Sequence, residues 1–166
     1  MSVHREERIY RLTSVRLPSG PPLGDMRSVQ PSDRSLLIEW FAAFAIDTND
    51  PDPIDPAAAA DRLIAGESSA LGLYLWEVDG EPRSMAGHSG PTPRGMRVGP
   101  VYTPPDQRRH GYAGALVAAL SQRLLDGGRE FCFLFTDLAN PTSNHVYQEI
   151  GYEPVCDVTQ WRVVED

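Results

Sequence analysis

The sequence predicts an α/β domain with a mixed, mostly antiparallel sheet, parallel only around one βαβ unit in its second half, and with flanking helices. Three observations carry this reading. Asp79-Gly80 is a tight-turn pair between residues 71–78, rich in Leu, Tyr, Trp and Val, and a partner segment at 82–90. Residues 110–126 set Ala113, Leu116, Val117, Leu120 and Leu124 on one helical face and end at Gly127-Gly128. Residues 131–138 then form a near-continuous apolar run, as in a strand buried on both faces. A strand, a long helix and a returning strand make a crossover, which implies parallel pairing.

Residues 7–15 show only a weak pattern in Ile9, Leu12 and Val15, and Pro18, Gly20, Pro21, Pro22 and Gly24 then break regular structure. Residues 1–25 therefore read as an extended arm and linker, and residues 26–166 as the domain. Residues 26–29 suit a short first strand. Ser32 can cap a helix in which Leu36, Leu37, Trp40, Phe41 and Phe44 share one face. Residues 47–56 carry Asp47, Asp50, Asp52 and Asp55 among prolines and read as an exposed loop. Asp55-Pro56 is N-cap and first residue of an alanine-rich helix that Gly66 ends. The hairpin follows, then a loop at 91–95 and a strand over 97–103, completing an antiparallel meander. After the long helix and the buried strand, Asn140-Pro141 opens a helix reaching Ile150 and stopping at Gly151, and residues 158–164 supply a last strand.

Length and composition narrow the function. A chain of 166 residues, 41% hydrophobic, builds one core. Its net charge of −8 argues against nucleic acid or an anionic membrane as partner and favours small cationic substrates. No apolar run approaches the roughly 18 residues of a membrane span, and Arg5, Glu6, Glu7 and Arg8 leave no signal-peptide core, so a cytoplasmic location is expected. Cys132 and Cys156 are far apart and read as reduced packing residues. The histidines at 4, 88, 110 and 145 lack paired ligand spacing, and no metal is expected.

Between the strand at 97–103 and the long helix lies Pro104-Pro105-Asp106-Gln107-Arg108-Arg109-His110-Gly111-Tyr112-Ala113-Gly114. A helix start leaves about four N–H groups without intrahelical partners and carries partial positive charge, so a small-residue turn there can bind phosphate. Gly111 and Ala113 keep the approach open, while Arg108 and Arg109 add positive charge. Taken alone, the turn is equally well read as a loop terminator. It has no Gly-Lys-Ser or Gly-Lys-Thr, and its glycines do not match a dinucleotide fingerprint.

The turn resembles motif A of the GNAT N-acetyltransferase superfamily, Arg/Gln-x-x-Gly-x-Gly/Ala, met here by Arg108, Gly111 and Ala113. Gly99-Pro100-Val101-Tyr102-Thr103 resembles the family's fourth strand. Phe133 to Tyr147, with Asn140, Ser143, Asn144 and the closing Ile150-Gly151-Tyr152, resembles motif B. The likeness is specific over residues 97–154 and looser over 26–90. Residues before Met26 resemble no part of the family's core domain, and beside similar sequences with a larger amino-terminal part this chain is expected to be a short or truncated version.

The resemblance implies a GNAT fold with splayed parallel central strands and acetyl-coenzyme A as co-substrate. It assigns Val101 and Thr103 to the pantetheine arm, with Tyr102 in the same cofactor-binding stretch but alternating to the other face. The amides from Arg109 through His110, Gly111, Tyr112 and Ala113 to Gly114 take the pyrophosphate, with Arg108 beside them. Asn140 and Ser143 contact the pantetheine or adenosine end, with Asn144 close enough to share that role. Tyr147 contacts the cofactor and resembles the general acid that protonates the departing thiolate, as a phenol near pKa 10 can. A helix-face core role is the alternative for Tyr147. A strand N–H, that of Val101, polarises the thioester carbonyl. Residues 97–103 contain no Glu or Asp to act as base. His88 is the candidate, with Glu39, Asp137 or a water chain as alternatives and a strand-end histidine as the bland reading. Trp40, Phe41 and Phe44 could line an acceptor site or simply pack a core, and the acidic loop could attract an amine or merely face solvent.

The implied activity is acetyl transfer to an amine of a small molecule, an amino-acid-like metabolite or a protein, by a monomer or homodimer. A coenzyme A-binding regulatory module without turnover is an alternative, as is a transferase using a longer acyl donor or a hydroxyl acceptor.

Overall fold

The Asp79-Gly80 hairpin forms as β3 (Gly72–Val78) and β4 (Glu81–Ser89), paired from Val78↔Glu81 to Gly72↔His88. Both turn residues take positive φ, 51° and 80°, as a tight turn matched to right-handed strand twist requires. The computed structural model describes residues 2–163. Met1 and residues 164–166 lie outside the described residues, and with them the Val164 end expected for the last strand.

The elements unfold in the expected order, with one addition at the amino terminus. β2 (Asp25–Ser28) pairs with β3, and α1 (Arg34–Asp47) and α2 (Pro56–Ala65) precede the hairpin. β5 (Gly95–Tyr102) leads through the turn to α3 (Tyr112–Asp126), β6 (Phe131–Asp137), α4 (Pro141–Ile150) and β7 (Glu153–Arg162). The last strand thus starts earlier than expected. α2 is capped as read, with Asp55 Oδ2 accepting from Ala58 N–H at 2.9 Å and Gly66 left-handed. α1 is not capped by Ser32. The buried Asp33 instead accepts from Gln30 N–H (2.7 Å) and from both terminal nitrogens of Arg27 (2.8 and 2.9 Å), closing a short helical turn ahead of α1.

The sheet runs β2-β3-β4-β5-β6-β1-β7, and among the described residues its only parallel pair is β5 with β6. Residues 2–12, expected as part of an arm, are β1 (Ser2–Leu12), an interior strand. It pairs antiparallel with β6 from Glu7↔Asp137 to Leu12↔Cys132, and with β7 from Ser2↔Arg162 to Arg11↔Glu153. Its working period is two at its end, where Tyr10 and Leu12 are fully buried and Arg11 between them is exposed; Arg8 pairs with Asp157 of β7 (2.6 and 3.1 Å). Flanking charges disguise that alternation in the sequence.

Helices cover both faces. α3 and α4 pack over Tyr10, Leu12, Trp76, Val98, Leu134 and Tyr152, while α1 and α2 cover Leu73, Leu75, Met85 and Tyr102. Trp40 belongs to this second core, 6.0 Å from the Tyr102 ring, and Phe41 and Phe44 pack at its margin.

Candidate active site

β5 and β6 pair only at Gly95↔Phe131, Met96↔Cys132 and Arg97↔Phe133. Beyond Arg97, β5 continues along β4, with Val98↔His88, Val101↔Ala86 and Tyr102↔Met85. Pro100 has no N–H to offer a neighbouring strand, which favours separation there. Residues 98–101 and 134–137 therefore form opposing walls of a cavity of about 900 Å³. Phe41 and Phe44 of α1, Leu63 of α2 and Ser143 and Tyr147 of α4 complete it.

The turn after β5 has the geometry of an anion cradle. Arg109 and Gly111 are both left-handed (φ 66° and 81°), and the first bond of α3 runs from Ala115 N–H to Gly111 O at 3.0 Å. The N–H groups from Arg109 to Gly114 precede that bond, and none donates to a backbone acceptor outside the regular elements among the described residues. The His110 ring stacks on Tyr112 (centroids 5.3 Å apart), and its Nδ1 lies 3.1 Å from Gln107 O. At Gly114 a side chain would press Val146 of α4, so glycine lets the two helices meet closely.

Arg108 acts differently from the expectation. Its Nε donates to Thr103 O (2.9 Å) and its Nη2 to Asp47 Oδ2 (2.8 Å), so the guanidinium ties the turn to the end of α1 instead of standing free for phosphate. Arg109 has no ion-pair partner among the described residues. The same bond removes Asp47 from the free acidic loop. Asp55 caps α2 and Asp50 accepts from Asp52 N–H (3.0 Å), so this loop uses its carboxylates largely to hold its own shape.

Three side chains of the expected cofactor-binding stretches face elsewhere, Tyr102 as its alternation implies and Thr103 and Asn144 against expectation. Tyr102 is buried against Trp40, and burial pushes its phenol pKa up. Thr103 Oγ1 bonds Ser84 Oγ at 2.8 Å while its carbonyl holds Arg108. Asn144 is occupied internally: its Oδ1 accepts from Tyr10 OH (2.8 Å) and Thr136 Oγ1 (2.6 Å), and its Nδ2 donates to Asn140 O (2.6 Å) and Asp137 O (3.2 Å). It locks α4 onto β6 and β1. Val101, Asn140, Ser143 and Tyr147 do line the cavity, Asn140 also capping α4 by accepting from Ser143 N–H at 3.2 Å.

His88 and Tyr147 reach the same cavity from opposite sides of the cleft. Burial raises the Tyr147 phenol pKa to about 12, so it stays protonated throughout the neutral range. His88 is only 6% exposed, and its Nδ1 has no partner. Burial, helped by the charge of Arg129, holds its pKa below the usual histidine value, against a smaller opposing pull from Ala70. The ring fits because residue 72 is glycine: a Cβ there would stand 2.5 Å from His88 Nε2. Sequence reasoning had no signal for that contact, nor for Arg97, which lines the cavity with its guanidinium 4.4 Å from the Phe135 ring centre. Among the described residues no cluster of His, Cys, Asp or Glu could hold a metal.

The profile of the FR47-like protein family matches residues 70–162. No curated protein matches the chain. Its fold is similar to that of a GCN5-related N-acetyltransferase from Kribbella flavida (TM-score 0.66, 20% identity, 95% of this chain and 58% of that one). It is also similar to a GNAT-family acetyltransferase from Colwellia psychrerythraea (TM-score 0.70, 13% identity, 93% and 54%). A third similar structure is a predicted acetyltransferase from Clostridium acetobutylicum with acetyl-CoA (TM-score 0.62, 18% identity, 86% and 96%). The chain thus spans little more than half the length of the first two.

Proposed function

The chain belongs to the FR47-like family of the GNAT superfamily, and from that premise we propose that it transfers an acetyl group from acetyl-coenzyme A to an amine. The observation that carries this reading is the meeting of a buried imidazole, whose Nδ1 has no partner, and a protonated phenol on one cavity, at the open end of the parallel pair β5–β6.

The residues present fit the co-substrate. The unpaired N–H groups at the start of α3, with its partial positive charge, suit a pyrophosphate. The cleft between residues 98–101 and 134–137 suits the pantetheine arm, with Val101 on one wall and Asn140 and Ser143 near its far end. Bound there, acetyl-coenzyme A supplies an activated acyl group as its thioester. The chain's own groups manage protons and charge. His88 is neutral near pH 7 and takes a proton from the acceptor amine, the Val101 N–H bonds the carbonyl oxygen, and the Tyr147 hydroxyl gives a proton to the leaving sulfur. The acceptor enters beside Phe41 and Phe44. A cytoplasmic location and a monomer or homodimer accompany this reading, and no helix among the described residues is long and apolar enough to cross a membrane.

Mixing the protein with acetyl-coenzyme A and a panel of amines tests the proposal through released thiol. Turnover is expected with at least one amine, and Tyr147→Phe is expected to lower kcat by about a hundredfold while leaving acetyl-coenzyme A affinity little changed. Tight cofactor binding without thiol release from any amine would support a module that binds without turnover. An unchanged rate in Tyr147→Phe would remove the phenol from the acid role.

A further inference from the structure

We propose that the acceptor is an anionic amine whose carboxylate is held by Arg97, a substrate-class assignment that rests on the acetyl-transfer reading above. The argument begins with the charges on the cavity wall. Its carboxylates are almost all engaged: Asp47 with Arg108 (2.8 Å), Glu7 with Gln160 (2.9 Å) and Arg5 (3.6 Å), and Asp137 with Ala139 N–H (2.8 Å) and Arg5 (3.8 Å). Asp50, on the loop, has only the N–H of Asp52. Arg5 is engaged as well, bonding Thr48 O besides those two carboxylates.

Arg62 and Arg97 line the same cavity with no acidic partner among the described residues. Arg62 lies in the last turn of α2, where the helix's own carbonyl end already favours a cation. Arg97 has no such explanation. It sits where β5 and β6 part, its guanidinium over the face of Phe135 at 4.4 Å from the ring centre. The guanidinium is exposed and donates no side-chain hydrogen bond among the described residues, so its N–H fork is open to receive a carboxylate in bidentate fashion.

The cofactor's phosphates do not account for this cation. Tyr102 lies five strand positions beyond Arg97, and at ~3.3 Å per position the turn begins about 16 Å away. Arg97 therefore belongs to the end of the cavity remote from the pyrophosphate cradle. Arg97 itself pairs with Ser89, one position on from the His88↔Val98 pair, so its side chain leaves β5 on the face of Phe135 and not on the face that His88 shares with Val98. An amino acid is the simplest acceptor that carries both an amine and a carboxylate for such an anchor.

The test compares amino acids with their carboxamides as acceptors, in the wild type and in Arg97→Gln, by thiol release. Amino acids are expected to exceed their carboxamides in kcat/KM, and Arg97→Gln to raise KM for the acids by ~10- to 100-fold while carboxamide turnover stays near its wild-type value. Carboxamides equal to or better than the acids, or an acid preference that survives Arg97→Gln, would overturn the assignment. Calorimetric binding of N-acetyl amino acids in the presence of coenzyme A reads the anion site without turnover. Binding that is lost in Arg97→Gln sustains the site even if no amine releases thiol, in which case the acetyl-transfer reading fails alone. No binding and no turnover sink both.

Discussion

His88 binds a proton less readily in the folded chain than in the unfolded one, because burial and Arg129 both oppose its charged form. The folded pKa lies below the unfolded value of about 6.5, so the stability tied to His88 is complete above that pH. It is lost as pH falls through about 6.5 towards the folded value, where the unfolded state takes up the proton first. The thermal midpoint of the wild type should thus drop on acidification from about pH 7.5 to 5.5, and His88→Gln should flatten that drop. The same variant should abolish the acid limb of the pH–rate profile if His88 is the base. A His88→Gln enzyme with an unchanged profile would assign the base to water or to Asp137. Chemistry at this scale was partly legible: Tyr147 and His88 stood out by type and position. Arg97 did not, because an arginine in a strand carries no mark of the cavity it lines, and only the absence of a neighbouring carboxylate distinguishes it.

Elements were legible where their cause is local. The β3–β4 turn, the apolar stripe of α3 and the Asp55-Pro56 start of α2 each follow from residues a few positions apart. Asn144 is the counterexample. In motif B it reads as a cofactor contact, yet its amide joins β1, β6 and the start of α4 through four hydrogen bonds. Asn144→Ala should therefore cost about 2–3 kcal/mol in chemical denaturation, since it strands several part-buried polar groups at once. It should also lower kcat by displacing Tyr147, which lies three residues further along α4. A variant with wild-type stability but weakened acetyl-coenzyme A binding would return Asn144 to the cofactor site.

For the molecule as a whole, β1 is the strand on which one half of the sheet depends. It lies between β6 and β7, and among the described residues β7 pairs with no other strand. Deleting residues 2–12 would expose the faces covered by Tyr10 and Leu12 and leave β7 without a ladder. The expected outcome is loss of a cooperative thermal transition by circular dichroism. A cooperative, folded deletion variant would mean that β7 had moved onto β6. The order of elements from β2 onward and the turn at residues 108–114 were determined by the sequence alone, because short-range patterns of glycine, capping residues and apolar spacing specify them. The tertiary structure decided that the amino-terminal segment is an interior strand, that Arg108 bonds Thr103 and Asp47, that Asn144 ties α4 to β1 and β6, and that His88, Tyr147 and Arg97 line one cavity. Each of those facts depends on residues tens of positions apart meeting across the sheet, and burial or pairing at that range leaves no periodic trace along the chain.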